Sequence, residues 1–247
     1  RPAGASPRIA VMPMPFYWGE GQRNRSLMTV LLAIDVGICH MGLVRGTLNA
    51  EGELLIDAFE LVDITVMAHN RVPRDRCTLP HTRELYDRLC HFEQEYRDEW
   101  IDPADVILIE RQPLVGLQSV QDFFFGRYRD RAQLLSPNAM HKFFKINHLD
   151  YEQRKERTVA IATHLFASYG REGCEWASKR RLERRHDIAD AACLMYFWVE
   201  QELERRKAEA ARSRFAQYVL PPERGGLAIS PHFRATASSM GSMISLE

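Results

Sequence analysis

Short apolar runs separated by polar breaks open the patterned part of the chain and predict strands. Residues 29–36 form such a run, rich in β-branched side chains and ending at Gly37, which is typical of a buried strand rather than a helix. Two further strand-like runs follow at residues 41–48 and 53–64, with a turn at residues 49–52 between them. The tight turn at Gly37 and this second break predict an antiparallel meander of three strands.

The pattern then changes to helical spacing. Apolar residues recur every three to four positions between residues 82 and 100, which predicts an amphipathic helix, and a strand follows at residues 105–110. A strand, a helix and a strand in this order predict a crossover onto a neighbouring strand. The remaining predicted elements are a helix over 117–130, a strand over 132–135, a helix over 151–169, and a helix that begins near Asp187 and runs past Arg206.

The ends of the chain lack this patterning. We expect a flexible arm over residues 1–27, one folded domain over residues 28–212, and a disordered tail over residues 213–247. The hydrophobic content of 45% suffices for a core in a domain of this size. No apolar run approaches the ~18–20 residues that a membrane-spanning helix needs, so we expect no membrane contact.

Four acidic residues interrupt the pattern in three places. Asp35 ends the first strand and Glu110 ends the strand over 105–110, while Asp187 and Asp190 share one face of a predicted helix. A carboxylate buried alone is costly, and four that converge repel one another. Divalent cations would relieve that repulsion. Mg²⁺ suits such a site, because it binds through a few carboxylates, waters and substrate phosphates.

Each acid has an ordinary structural explanation when it is taken alone. A carboxylate at the end of a strand often belongs to a turn or a helix cap. An Asp pair in the first turn of a helix complements the helix dipole. The occurrence of all three places in one chain, in this order, favours a shared metal site.

The charges balance to a formal net charge of zero, but they are segregated along the chain. Basic clusters occur at residues 127–131, 154–157, 179–185 and 205–214, and acidic residues concentrate between residues 93 and 105. Such segregation is compatible with binding a polyanion on one face. Each basic cluster alone is equally typical of a solvated helix face.

The cysteines indicate a reducing environment. They are odd in number and no pair has metal-ligand or redox spacing, so we expect free thiols in an intracellular compartment. They are Cys39, Cys77, Cys90, Cys174 and Cys193. Cys39 is near the proposed site in sequence, and we expect it to fill space there.

Four stretches together resemble the RuvC-type Holliday junction resolvases. They are residues 33–37 (Ala-Ile-Asp-Val-Gly), 107–113 (Ile-Leu-Ile-Glu-Arg-Gln-Pro), 154–159 (Arg-Lys-Glu-Arg-Thr-Val) and 187–191 (Asp-Ile-Ala-Asp-Ala). The resemblance spans about residues 29–200. It is greatest to the branch of poxviruses and related large DNA viruses, followed by the fungal mitochondrial resolvases. Its most specific part is the Ile-Glu-Arg-Gln-Pro stretch combined with Asp-x-x-Asp.

This resemblance implies a fold, an activity and an assembly. The fold is ribonuclease H-like: a mixed five-stranded α/β sheet with helices on both faces. The activity is symmetric cutting of four-way DNA junctions by a homodimer, with Mg²⁺ as cofactor, two ions per site, and Mn²⁺ as a substitute. An intracellular location follows: the cytoplasm or viral factory for a viral protein, with the mitochondrion as the alternative for a cellular one.

Roles for individual residues combine the resemblance with the chemistry of phosphodiester hydrolysis. Asp35 is the expected bridging metal ligand, Glu110 would hold one ion, and Asp187 with Asp190 the other. Lys155 would neutralise the scissile phosphate or bind the neighbouring phosphate. The basic residues expected to bind DNA are Arg111, Arg127, Arg129, Arg154, Arg157, Lys179, Arg180 and Arg181. We expect junction recognition through phosphate contacts and shape.

Several points stay open in the sequence. The resolvases often carry a Lys or an acid where this chain has His186, which either joins the metal shell or lies outside it. Candidate dimer surfaces are the aromatic residues 123–125 and the apolar residues Met195, Tyr196 and Trp198, and each of them fits a core equally well. Alternative functions are a related nuclease acting on RNA or other branched nucleic acid, and a non-catalytic DNA-binding homologue. Actin-like ATPases also open with Asp-x-Gly, but the chain lacks their further glycine motifs.

Overall fold

The structure, a computed structural model, describes residues 28–66, 75–113, 117–172, 174, 176 and 184–219. Within these residues the chain forms five strands and five α-helices. The strands are β1 (Met28–Asp35), β2 (His40–Asn49), β3 (Leu54–Asp63), β4 (Val106–Glu110) and β5 (Ala132–Leu135). The helices are α1 (Leu85–Tyr96), α2 (Gln118–Arg127), α3 (Pro137–Phe143), α4 (Tyr151–Tyr169) and α5 (Arg185–Val219).

The strands form one mixed sheet in the order β3-β2-β1-β4-β5. β2 pairs antiparallel with both β1 and β3, which confirms the predicted meander. β4 pairs parallel with β1 and with β5, so the chain between β3 and β4 crosses over to the other side of β1. The two strands that carry acids, β1 and β4, are therefore neighbours in the middle of the sheet.

Side chains of β1 alternate between two cores. Leu31 and Ala33 belong to a core that includes residues of α4 and α5, whereas Leu32 and Ile34 belong to a core that includes residues of α1 and α2. This alternation is the period of two that every strand imposes on its side chains. Because helices cover both faces of the sheet, the sequence of β1 is a continuous apolar run, which is typical of strands buried on both faces. The predicted fold class is confirmed.

Two glycines let α5 approach β2 closely. Gly42 and Gly46 lie on the same face of β2 as Val44 and Leu48, which belong to the core shared with α5. A Cβ atom at Gly42 would lie 2.1 Å from the Asp187 carbonyl oxygen, and one at Gly46 would lie 3.1 Å from the Met195 sulfur. The absence of side chains at these two positions thus sets how near α5 lies to the sheet.

Some elements differ from the sequence prediction. α1 begins at Leu85 rather than residue 82, and one π-helical turn, Arg97–Ile101, follows it. α3 was not predicted, although it begins with a strong signal. Pro137 is its first residue, and the Ser136 side chain caps the helix by accepting a hydrogen bond from the Ala139 backbone nitrogen at 3.4 Å.

The two candidate dimer surfaces are largely core. Phe124 and Met195 are fully buried, Trp198 is 8% exposed, and Tyr196 is partly buried against the core. Phe123 and Phe125 are partly buried against the core on the α2 side of the sheet. The aromatic run over residues 123–125 is thus split between the interior and its edge, as three consecutive aromatics on a helix must be.

The ends of the chain differ from the predicted domain limits in one respect. α5 continues to Val219, so residues 213–219, which the sequence assigns to the tail, are helical. The chain divides into two compact units, Arg1–Leu203 and Glu204–Glu247. Residues 1–27 and 220–247 lie outside the described residues. None of the described helices is long and apolar enough to cross a lipid bilayer.

Gly42→Ala should destabilise the protein. The added methyl group meets the backbone of Asp187, which cannot rotate away, so we expect a loss of about 1–3 kcal/mol in the free energy of unfolding. Gly126→Ala in α2 is the control, because nothing lies within 4 Å of its new Cβ. Gly126 lies in the last turn of α2, where that change should be neutral or slightly stabilising. Urea titrations of the two variants measure both effects, and equal midpoints would contradict the close approach.

Candidate active site

Asp35 and Glu110 extend from the ends of two neighbouring strands. Ile34 pairs with Ile109 in the parallel register of β1 and β4, and the two acids are the next residues on each strand. Both follow the parity of Ala33 and Leu108, which face the core shared with α5. The two carboxyl groups therefore lie side by side, at one edge of the sheet and on the α5 side.

The start of α5 brings the other two acids to the same edge. Asp35 pairs with Gly42 across β1 and β2, and the Asp187 backbone lies directly over Gly42. Asp190 follows three residues later, on the same helix face. Both Asp187 and Asp190 raise the pKa of Asp35 by electrostatic repulsion. The structure thus brings the four predicted acids into one electrostatic cluster, while their roles as metal ligands stay predictions.

Asp35 is the most strongly perturbed of the four. Burial raises the pKa of its carboxyl group well above the ordinary range, and repulsion by Glu110, Asp190 and Asp187 raises it further. A hydrogen bond joins the Asp35 and Glu110 side chains, and burial also raises the pKa of Glu110. Two carboxyl groups in this contact share a proton, because both cannot be ionised at once.

Asp190 is perturbed in the same direction. Burial raises its pKa to about 8, with further contributions from Glu110 and Asp187. A hydrogen bond with the Thr158 hydroxyl and the positive charge of Lys155 oppose that rise. Thr158 is buried in α4 and donates a hydrogen bond to the Arg154 carbonyl at 2.8 Å. α4 therefore supplies a polar contact and a cation to the site.

Asp187 is buried, and cationic or polar neighbours surround its carboxylate. Arg184 Nε donates a hydrogen bond to one oxygen at 3.0 Å, and His186 Nε2 lies 3.0 Å from the other. Burial lowers the pKa of His186, with Lys155 and Arg184 acting in the same direction and Asp187 opposing them. His186 thus contacts the acid cluster through Asp187. The Arg184 contact could not be predicted, since Arg184 is one of several arginines in the basic cluster at residues 179–185.

Gln112 orients Glu110. Its side-chain nitrogen donates a hydrogen bond to Glu110 Oε2 at 3.2 Å, and its backbone nitrogen donates one to Gln121 Oε1 at 2.8 Å. Gln121 is itself buried in α2. The Ile-Glu-Arg-Gln-Pro stretch thus carries both an acid and the residue that orients it, a role the sequence alone did not assign to Gln112.

The donor set of the site suits a hard cation. It consists of carboxylate oxygens, which Mg²⁺ prefers, and a divalent ion would replace the proton that Asp35 and Glu110 share. Among the described residues, three metal-ligating atoms that all lie within 4.8 Å of one another occur elsewhere, at Cys77, His81 and His91. No three of the four acids meet this distance limit within the described residues, as expected of carboxylates that repel one another without a bound ion.

Lys155 is the basic candidate that interacts with the acids, and Arg154 precedes it in α4. The Lys155 ammonium lies 4.2 Å from the centre of the Tyr151 ring and interacts electrostatically with Asp190. Arg154 is half-buried, and its guanidinium donates a hydrogen bond to the Leu149 carbonyl at 2.6 Å. Lys155 is thus the cation that both the sequence and the structure associate with the site.

The other basic candidates differ in their surroundings. Arg127 forms an ion pair at 3.1 Å with Glu93, which also pairs with Arg97, and lies over the Phe123 ring, so its side chain already has partners within the protein. Arg129 is exposed and lies over the Phe125 ring. Arg111 and Arg157 are exposed. Lys179, Arg180 and Arg181 lie outside the described residues.

Asp190→Asn should stabilise the chelator-treated protein in a pH-dependent way. The ordinary pKa of 3.8 applies in the unfolded chain and about 8 in the folded one, so folding favours the protonated acid. Stability is therefore lost as the pH rises from about 4 to about 8, and asparagine removes that loss. We expect a melting temperature equal to wild type near pH 4 and roughly 10–20 °C higher at pH 8.

Thermal denaturation across this pH range measures the effect, and the exposed acid Asp130 provides the control. Asp130→Asn should leave the melting temperature unchanged at every pH. A gain for Asp190→Asn that is the same at pH 4 and pH 8 would contradict the raised pKa, because an uncharged packing effect does not titrate.

Comparison with known proteins places the fold. No family model matches the chain, and no curated protein matches it. The structure is similar to that of the fowlpox virus resolvase in complex with substrate Holliday junction DNA, with a TM-score of 0.52 at 15% identity over 71% of this chain and 99% of that one. It is also similar to the yeast mitochondrial Holliday junction resolvase, with a TM-score of 0.51 at 15% identity over 75% of this chain and 85% of that one. The chain therefore has the ribonuclease H-like fold that these resolvases share.

Proposed function

We propose that the chain is a structure-selective DNA endonuclease that resolves four-way junctions by metal-assisted hydrolysis of phosphodiester bonds. The observation that carries the proposal is the clustering of Asp35, Glu110, Asp187 and Asp190 at one edge of a ribonuclease H-like sheet, with raised pKa values at three of them. Raised pKa values indicate that the crowded carboxyl groups repel one another. Bound cations, as used in a nuclease site, would relieve this repulsion.

The similar structures support the choice of substrate. One of them is a resolvase bound to its substrate Holliday junction DNA, and the chain covers nearly all of that protein's length. The stretches that resemble RuvC-type resolvases fall at β1, β4, α4 and the start of α5. These are the elements that surround the acid cluster.

The four acids would hold Mg²⁺, two ions per site, with Mn²⁺ as a substitute. Bound there, the ions would activate a water for in-line attack and relieve negative charge on the leaving oxygen. Asp35 and Glu110 would give up their shared proton to solvent on loading. Metal binding should therefore strengthen as the pH rises.

The neighbouring side chains keep the acids in fixed orientations. Gln112 donates a hydrogen bond to Glu110, Thr158 contacts Asp190, and Arg184 donates to Asp187. Lys155, which interacts with Asp190, would draw the scissile phosphate toward the acids. This arrangement supports catalysis because groups that are already oriented need no reorganisation during the reaction.

DNA binding would rest on exposed basic side chains. Arg111 follows Glu110 directly, and Arg157 lies in α4 near Lys155, so both are close in sequence to residues of the site. Contacts of this kind bind phosphates without reading bases. Selection of a four-way junction would then follow from its shape.

Asp35→Asn should separate cutting from binding. Removing one of the crowded carboxylates should lower the cleavage rate at least about 100-fold, the scale on which loss of one preorganised group acts. Junction affinity should be kept or improved, because a negative charge near phosphate is removed. A labelled four-way junction with Mg²⁺ measures cleavage as paired symmetric nicks, and gel-shift titration measures affinity. Asp130→Asn is the matched control, and it should behave as wild type.

Other outcomes of this assay would point to other functions. Junction binding without any nicks in Mg²⁺ or Mn²⁺ would indicate a non-catalytic DNA-binding protein. Preferential cutting of an RNA substrate would indicate a nuclease acting on RNA. Loss of binding in parallel with cleavage would mean that the acid cluster is needed for docking. Affinity should also fall steeply with salt, as expected when basic side chains displace counterions from phosphates.

The active unit should be a dimer. One site cuts one strand, whereas productive resolution needs two symmetric cuts, and a two-fold dimer presents two sites related as the opposing strands are. Sedimentation at micromolar concentration, with and without junction DNA, measures the assembly. A protein that stays monomeric in both conditions and still makes paired nicks would show that the idea is wrong.

A further inference from the structure

A second group of metal-ligating side chains lies outside the acid cluster. Cys77 and His81 belong to the segment that precedes α1, and His91 belongs to α1 itself. The three ligand atoms all lie within 4.8 Å of one another. Cys77 and His81 are half-buried, and His91 is 3% exposed. Residues distant in sequence by up to fourteen positions thus bring a thiol and two imidazoles together.

The hydrogen bond on the far side of His91 fixes which nitrogen faces the thiol. His91 Nε2 lies 3.0 Å from the Pro80 carbonyl oxygen. A carbonyl only accepts hydrogen bonds, so Nε2 carries the proton and Nδ1 carries the lone pair. That lone pair is in contact with the Cys77 sulfur, 3.9 Å away. Imidazoles that bind metals are commonly oriented in this way, with the other ring nitrogen donating to a carbonyl.

The spacing suits a tetrahedral metal centre. With zinc–sulfur and zinc–nitrogen bonds of about 2.3 and 2.0 Å, a tetrahedral angle places sulfur and nitrogen about 3.5 Å apart. The Cys77–His91 separation of 3.9 Å is a few tenths of an ångström longer, and it is also long for an optimal hydrogen bond. The His81 and His91 rings are 4.8 Å apart between centroids and are not stacked. The three ligand atoms lie within 4.8 Å of one another, so a closing movement of about 1 Å would complete the geometry.

We propose that Cys77, His81 and His91 bind one Zn²⁺ ion, with a water molecule in the fourth position. Thiolate and imidazole are the ligands that zinc prefers, whereas Mg²⁺ prefers oxygen. The Cys77 thiol would release its proton to solvent on binding. Gln94, three residues after His91 on the same helix face, accepts a hydrogen bond from this thiol at 3.6 Å. After deprotonation its amide would turn and donate to the thiolate.

The position of this site in the fold suggests its role. β3 runs parallel to β1, because both are antiparallel to β2, so the chain leaves β3 at the edge where Asp35 and Glu110 lie. α1 begins after this connection and leads back to β4. A zinc ion held by Cys77, His81 and His91 would attach the end of the connection to α1. This attachment does not depend on the proposed nuclease activity.

Zinc binding to the full-length chain tests the proposal. The chelator-treated protein would be titrated with Zn²⁺ or Co²⁺ in excess Mg²⁺, which competes at the carboxylate site. We expect one tightly bound Zn²⁺ per chain by elemental analysis, and a thiolate-to-cobalt charge-transfer band with Co²⁺. Absence of that band in the wild-type protein would overturn the proposal and leave a hydrogen-bonded cluster only.

Variants identify the ligands. Cys77→Ser and His81→Gln should each weaken zinc binding by more than the roughly 10–100-fold that loss of an outer-shell partner costs. Cys174→Ser is the matched control, since Cys174 is also a half-buried free cysteine and should leave the affinity unchanged. Unchanged affinity in Cys77→Ser would overturn the assignment. Asp35→Asn should bind zinc as wild type does, so a failed nuclease assay and a failed zinc assay are distinguishable.

Discussion

Mutual repulsion among Asp35, Glu110, Asp187 and Asp190 has to be overcome by the contact between α5 and the sheet. Burial and like charge together raise the pKa of Asp35, and they raise that of Asp190 to about 8. The opposing contribution comes from the apolar side of α5, whose residues from Ile188 onward enter one of the two cores. Gly42 and Gly46 on β2 strengthen that contact because they let the helix backbone approach the strand directly.

The acids are stabilised in three different ways. Asp35 and Glu110 share a proton, Asp190 is hydrogen-bonded to Thr158, and Asp187 is paired with Arg184. None of these contacts needs a metal ion, so the site has a stable arrangement before loading. The raised pKa of Asp35 means that its carboxyl group holds a proton tightly, so a cation that binds there would have to displace that proton.

Much of the fold could be predicted from the sequence because its strands are strongly patterned. The apolar runs that end at Asp35 and Glu110 fixed both the strands and the positions of two acids, and the meander followed from the turns. α3 was missed because its seven residues are too short to show helical periodicity, although Ser136 and Pro137 mark its start. The π-helical turn after α1 has no recognised sequence signal, and the end of α5 lay beyond the predicted domain.

The residues of the site could be predicted from the sequence only where a single residue was unusual for its position. Acids at strand ends are visible in the sequence, whereas Arg184 and Thr158 are ordinary residues whose contacts depend on how α4 and α5 pack. Cys77 has no second cysteine at metal-ligand spacing, so the sequence indicates an isolated thiol. Its two histidine neighbours come from a loop and from a helix, and only the fold brings them together.

The parallel register of β1 and β4 restricts how the length of these strands can change. Inserting or deleting one residue before Asp35 would turn its side chain to the opposite face, toward α1 and α2, and away from Glu110. A change of two residues would restore the face but move the carboxyl group about 6–7 Å along the strand. Neither change keeps the carboxyl groups of Asp35 and Glu110 side by side. Length variation among proteins that keep this site should therefore be confined to the turns and loops.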